Sequence, residues 1–209
     1  MQIPRLYPIL DAGVLAARQI SIEQFAGELA SAGVSLLQYR DKAASPQATL
    51  ANLQRIRSST PGVTLLLNDR PDLARIGRCD GVHVGQTDLH PDDARRIVGA
   101  GKLIGVSTHT FDQFEAAVST EADYLAIGPI YATATKQNPD PVTGLALLRQ
   151  VRKLTQKPIV AIGGITSERA LEVLDAGADS VAVISALVPA GPELSALPLV
   201  EVFLSAVMR

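Results

Sequence analysis

Cysteine is nearly absent from this 209-residue sequence. Cys79 stands alone, so no disulfide can form within the chain, and a reducing cytoplasm is the simplest setting. Long apolar runs are missing too. No window approaches the roughly 20 residues that span a bilayer, and Met1–Leu10 lacks a basic segment followed by a long apolar stretch, so neither a membrane span nor a secretion signal is expected. Positive charge is not in excess. Nineteen Lys and Arg face 21 Asp and Glu for a net charge of −2, and the basic residues are scattered. That argues against a general nucleic-acid binder and against a polybasic membrane patch. No His/Cys grouping has zinc spacing, so no transition metal is expected. No Gly-x-Gly-x-x-Gly follows the first apolar run, which weighs against a dinucleotide fold. With no Pro- or Ser-rich linker and no second compositional block, residues 1–209 read as a single domain.

What is present is alternation. Short apolar runs at Leu6–Asp11, Ser35–Tyr39, Thr64–Asn68, Gly81–Val84, Leu103–Ser107, Tyr124–Gly128, Ile159–Gly163 and Ser180–Ile184 suit parallel strands buried on both faces. Amphipathic stretches lie between them. Ser21 and Gln24 form a capping-box pattern before Ile22–Ala32, and Gly33 closes that helix. Further helices are predicted at Pro46–Arg57, Pro71–Ile76, Pro91–Val98, Phe111–Val118 and Leu145–Leu154, from Thr166 to Gly177, and at Glu193–Met208. Strict strand–helix alternation implies parallel strands with right-handed crossovers. A closed barrel and an open doubly wound sheet both satisfy it. Eight units of about 26 residues favour the single-domain (β/α)8 TIM barrel of the α/β class.

In such a barrel, functional residues gather where strands run into βα loops. Asp69 and Asp88 follow consecutive strands, which lie roughly 4.8 Å apart in a sheet, so both carboxylates could share a hard cation such as Mg²⁺. Arg40 and Lys42 follow the neighbouring strand, and cations beside a metal site suggest a diphosphate. The plainer alternative makes both aspartates helix N-caps before Pro71 and Pro91. Gly163-Gly164 and Ser185 follow strands seven and eight, the recurrent phosphate site of this architecture; tight packing at two turns is the competing explanation. Thr133-Ala134-Thr135-Lys136 lies in the longest loop, where hydroxyls and an ammonium could span two anions. His83 reads as a hydrogen-bonded core residue, His109 as a residue near the mouth without a nucleophile pattern, and His90 as surface loop. The first strand ends in Asp11-Ala12-Gly13, which suggests no chemistry by itself.

These residues resemble the thiamine phosphate synthase family from Leu6 to about Leu187. The matching motifs are Gln38-Tyr39-Arg40-Asp41-Lys42, Asn68-Asp69, Val82 through Asp88, Gly128 through Lys136, Ile162–Ile165 and Ile184-Ser185. Asp41 stands where the family often has Glu, and Arg70 where some members have an acid; neither removes an expected ligand. The resemblance implies a Mg²⁺-dependent cytoplasmic transferase of thiamine biosynthesis. It would join an aminopyrimidine diphosphate to a thiazole phosphate, carboxylated or plain, with release of pyrophosphate. Gln38, Tyr39, Arg40, Asp41, Lys42, Asn68, Ser107 and Lys136 would serve the pyrimidine diphosphate, with Arg40, Lys42 and Lys136 stabilising the leaving group. Thr133, Ala134, Thr135, Gly164, Ile184 and Ser185 would line the thiazole phosphate site, and Asp69 and Asp88 would ligate Mg²⁺. The implied partners are these two small molecules, with self-association left open.

Three rivals remain at this stage. A thiazole tautomerase of similar fold would have little use for a metal–diphosphate sector. A catalytically idle barrel would be free to lose it, and a sugar-phosphate epimerase would place its acids and metal-binding histidines elsewhere.

Overall fold

The computed structural model of the protein describes residues 3–133 and 141–208. Eight strands, β1 (Leu6–Asp11), β2 (Leu36–Arg40), β3 (Thr64–Asn68), β4 (Gly81–Val84), β5 (Leu103–Thr108), β6 (Tyr124–Ile127), β7 (Ile159–Ile162) and β8 (Ser180–Val183), close into a barrel in sequence order. Every neighbouring pair is parallel, and β1 pairs with β8 through Leu6↔Val181 to Pro8↔Val183. The open doubly wound sheet is thereby excluded.

The helices are α1 (Ala12–Ala17), α2 (Ile22–Ser31), α3 (Pro46–Ser59), α4 (Pro71–Ile76), α5 (Pro91–Val98), α6 (Phe111–Val118), α7 (Gly144–Val151), α8 (Ser167–Asp175) and α9 (Leu197–Val207). Their starts follow the local chemistry. Ser21 and Ser45 accept from the backbone N–H three residues on, at Gln24 and Ala48, and Pro46, Pro71 and Pro91 open their helices without losing a needed donor. The C-terminal helix begins at Leu197 rather than Glu193, since Pro198 sets its first turn.

Side chains alternate between two apolar layers. One set fills the barrel interior, including Leu36, Leu66, Leu103, Tyr124 and Val160. The other, including Leu37, Leu65, Leu67, Val82 and Ile104, packs outward beneath the helices. Both faces of the strands are therefore dry, the condition their uniformly apolar sequence anticipates. Among the described residues, no helix is long and apolar enough to cross a membrane.

Candidate active site

A cavity of about 990 Å³ opens at the C-terminal ends of the strands. Gln38, Arg40, Lys42, Asn68, Asp69, Asp88, Ser107, Thr133, Gly164, Ile184 and Ser185 all line it, so every one of these sequence-predicted residues meets at one mouth. Ala134, Thr135 and Lys136 lie outside the described residues.

The acidic pair is built by two turns. Asp69 leaves β3 with φ of 64°, an unusual conformation for a residue with a side chain, and its N–H donates to the His83 carbonyl of β4 at 2.7 Å. Asp88 folds back so that Oδ2 accepts from the Gly85 N–H at 2.7 Å. The two carboxyls stand within hydrogen-bonding reach of one another. The Asp88 carboxyl is held above the usual carboxylate range, first by burial and then by Asp69. Neither aspartate caps a helix. The cap position of α4 is Arg70, without a side-chain bond, and that of α5 is His90. The N-cap explanation of the pair is therefore set aside.

Cations flank the pair. The Lys42 ammonium bonds the Asp69 carboxylate, and the Arg40 guanidinium bonds Asp11. Asp11 is 5% exposed and also caps α1, accepting from the Val14 N–H at 3.0 Å. It is the site residue that strand-end reading passed over. Two neighbouring carboxylates completed by water and substrate phosphate oxygens are an ordinary set for a divalent cation, and the ammonium and guanidinium beside them suit the phosphate oxygens. Among the described residues no group of three or more His, Cys, Asp or Glu could hold a metal ion, so any ion on this pair would take water or substrate oxygens for the rest of its shell.

Tyr39 and Asp41, carried over with the Gln38–Lys42 motif, do not reach the cavity. Alternation along β2 turns Gln38 and Arg40 inward and Tyr39 outward. The Tyr39 hydroxyl donates to Asp41 at 3.1 Å and accepts from Asn52 of α3 at 2.7 Å, while Asp41 Oδ1 accepts from the Ala43 and Ala44 N–H groups. Both shape the βα loop instead.

The cavity floor is a buried polar chain. Gln38 Nε2 donates to the Tyr7 hydroxyl at 2.7 Å; Tyr7 and Tyr124 hydroxyls are 2.8 Å apart; Tyr124 meets His83 Nδ1 at 2.9 Å; and His83 Nε2 meets the Ser107 hydroxyl at 2.8 Å. One direction satisfies every group. Tyr7, accepting from Gln38, donates to Tyr124, which donates to Nδ1, leaving Nε2–H to donate to Ser107. Burial raises the Tyr7 and Tyr124 hydroxyls well above the ordinary phenol range, so both stay protonated. The His83 ring stacks on Tyr124 with centroids 5.6 Å apart, and Gly105 makes the room, since a Cβ there would fall 2.0 Å from Tyr124 Cζ. His83 is thus the hydrogen-bonded core histidine its sequence position suggested. Tyr7 and Tyr124 were missed, although their inward strand phase, shared with Gln38 and His83, was the available signal.

Opposite the acidic pair lies the turn between β7 and α8. Gly163 and Gly164 have φ of 101° and 62°, and a Cβ on either would fall 2.4 Å from Pro129 or from the Ala132 carbonyl. Close packing against residues 129–132 therefore accounts for both glycines. The argument for an anion here rests instead on the start of α8, whose N-cap Thr166 makes no side-chain bond to the backbone and lies on the cavity wall beside Ser185. Above this turn the Tyr131 hydroxyl donates to Glu172, and the Arg169 guanidinium lies 4.5 Å from the Tyr131 ring centroid. His109 Nδ1 is 2.7 Å from the Gly128 carbonyl at the same rim.

A closed parallel barrel with an acidic pair, flanking cations and a helix start around one mouth is the arrangement of a barrel enzyme. Comparison with known proteins makes that class specific: the chain belongs to the thiamine monophosphate synthase family, whose model matches residues 6–187. It is 53% identical over 190 residues to the thiamine-phosphate synthase of Koribacter versatilis (strain Ellin345), covering 90% of each chain. It is 43% identical over 188 residues to that of Chloroflexus aurantiacus, covering 89% of this chain and 86% of the relative. Among solved structures, thiamine phosphate pyrophosphorylase from Pyrococcus furiosus superposes with a TM-score of 0.84 at 29% identity, covering 98% of this chain and 95% of that one. Membership makes the chain a transferase of thiamine biosynthesis.

Proposed function

We propose that the protein, acting as one catalytic domain over residues 1–209 in the cytoplasm, condenses an aminopyrimidine diphosphate with a thiazole phosphate to give thiamine phosphate and pyrophosphate. The observation that carries this reading is the placement of Asp69, Asp88, Lys42 and Arg40 on one side of a single cavity, with the Gly164–Thr166 turn and Ser185 on the other. That is room for two phosphorylated groups facing each other. The retained acidic pair and its cations favour the synthase over a thiazole tautomerase, an idle barrel or an epimerase.

Asp69 and Asp88 would hold Mg²⁺. Bound there, the ion would supply charge neutralisation for a diphosphate leaving group. Lys42 and Arg40 donate to the remaining diphosphate oxygens, with Lys136 assigned to the same task. The carbon–oxygen bond to the diphosphate breaks first, and both electrons leave with pyrophosphate. The resulting pyrimidine-methyl cation is captured by the thiazole ring nitrogen, whose lone pair forms the new carbon–nitrogen bond. No strong protein base is needed, because alkylation of the ring nitrogen gives the thiazolium without loss of a proton; when the thiazole carries a carboxylate, CO₂ leaves and the electron pair it leaves behind takes up one proton. Gln38, Asn68 and Ser107 orient the pyrimidine, and the buried chain through Tyr7, Tyr124 and His83 fixes which way Gln38 and Ser107 point. Thr133, Gly164, Ile184 and Ser185 form the thiazole phosphate side, to which Ala134 and Thr135 are assigned by the family motif.

The test is pyrophosphate release on mixing the two substrates with Mg²⁺. Stoichiometric pyrophosphate and thiamine phosphate are expected; thiazole isomerisation without pyrophosphate would replace this reading with the tautomerase.

A further inference from the structure

Arg169 differs from the other described cations of the cavity in how it is held. Arg40 is engaged by Asp11, Lys42 by Asp69, and Arg18 by the carbonyls of Ser185, Val188 and Pro189. Arg169 instead lies over the Tyr131 ring, 4.5 Å from its centroid. The two acids nearest it on α8 are occupied elsewhere. Glu172, one turn on, accepts from the Tyr131 hydroxyl, and Glu168 bonds the hydroxyls of Thr166 and Ser167. Among the described residues, no acceptor takes a hydrogen bond from the Arg169 guanidinium.

This is a pinned, unspent fork. Cation–π contact holds the group in place and leaves its N–H donors for an acceptor. Arg169 lines the same cavity as Gly164, Thr166 and Ser185, and it stands in the first turn of the helix whose N-cap residue, Thr166, makes no side-chain bond to the backbone. A planar guanidinium matches a carboxylate or phosphate through two parallel bonds, which a lysine ammonium does not.

We propose that Arg169 is a specificity-determining binding residue for an anionic oxygen group of the thiazole substrate, either its phosphate or its ring carboxylate; this rests on the synthase reading. Tyr131 is its positioning residue. By fastening the ring through Glu172, the chain keeps that carboxylate away from the guanidinium it would otherwise neutralise.

The experiment measures the affinity of the full chain for plain and carboxylated thiazole phosphates and for inorganic phosphate by calorimetry, alongside KM and kcat. Arg169→Gln should weaken thiazole binding about tenfold, leaving the KM for pyrimidine diphosphate and kcat at saturation within about twofold of wild type. If the phosphate is the bound group, both thiazoles and inorganic phosphate lose affinity alike; if the carboxylate is, only the carboxylated thiazole does. Arg169→Lys should recover less than half of the loss, because the stacked fork is gone. Tyr131→Phe keeps the ring but frees Glu172, and should weaken the same substrate several-fold. Unchanged affinity for both thiazoles in Arg169→Gln overturns the proposal, as does an equal loss for pyrimidine diphosphate. A wild-type protein that binds thiazole phosphate yet releases no pyrophosphate overturns the synthase reading instead, and Arg169 is then judged on the binding data alone.

Discussion

Asp88 stands within hydrogen-bonding reach of Asp69 across the ends of two adjacent strands, and its carboxyl is held above the ordinary range by burial and by that neighbour. Two carboxylates so placed repel when both are ionised. The Gly85 N–H and the Lys42 ammonium offset only part of that repulsion, since the Asp88 carboxyl stays raised, so a further cation between the two would relieve what remains.

Asp88→Asn separates the two. A carboxyl whose pKa is raised by folding contributes stability that is lost as pH rises from its unfolded value through its higher folded one, so at neutral pH Asp88 opposes folding. The amide oxygen can still accept from Gly85. The melting temperature of Asp88→Asn without metal should therefore equal or exceed that of wild type by a few degrees, while turnover falls by about two orders of magnitude or more. Scanning calorimetry and a pyrophosphate assay read both quantities, and a clear drop in melting temperature would contradict the account of the pair.

Asp11→Asn probes the support of Arg40. Asparagine can still cap α1 through the Val14 N–H, but it no longer offers a carboxylate to the guanidinium. We expect kcat to fall about tenfold, with the KM for thiazole phosphate unchanged and the helix content intact. Steady-state kinetics with each substrate varied in turn would show it.

The recovery of the fold from the sequence was close, and its gaps have local causes. Strand boundaries differ by at most a residue because apolar runs buried on both faces end abruptly at the loops. The six residues of α1 escaped because a stretch as short as Ala12–Ala17, containing Gly13, has no readable amphipathic period. Expecting Tyr39 and Asp41 at the site followed from moving a motif as a block, although neighbours on a strand must face opposite ways. Asp11 and Arg40 are 29 residues apart, so only closure of β1 on β2, through Asp11↔Arg40, makes their pairing visible.

Gly105→Ala tests the floor. An added methyl would meet the Tyr124 ring, pushing it from its stack with His83. Overpacking of this kind costs about 1–3 kcal/mol, and displacement of Tyr124 should also disturb Ser107 through His83. Denaturant unfolding should show the loss of stability, and the KM for the pyrimidine substrate should rise while that for thiazole phosphate does not.

Ser185→Ala addresses the opposite wall. The residue lies on the cavity beside the α8 turn, and its loss should raise the KM for thiazole phosphate roughly tenfold with kcat at saturation little changed. A large fall in kcat with unchanged affinity would remove Ser185 from the phosphate site.

The most direct measurement is Mg²⁺ binding in the presence of pyrophosphate, by calorimetry, to wild type and to Asp69→Ala. Wild type should bind the ion together with pyrophosphate, and Asp69→Ala, still folded, should lose at least about tenfold in that affinity and nearly all turnover. Equal metal affinity in both proteins, or wild-type turnover in the variant, would show that the two carboxylates are not the metal site.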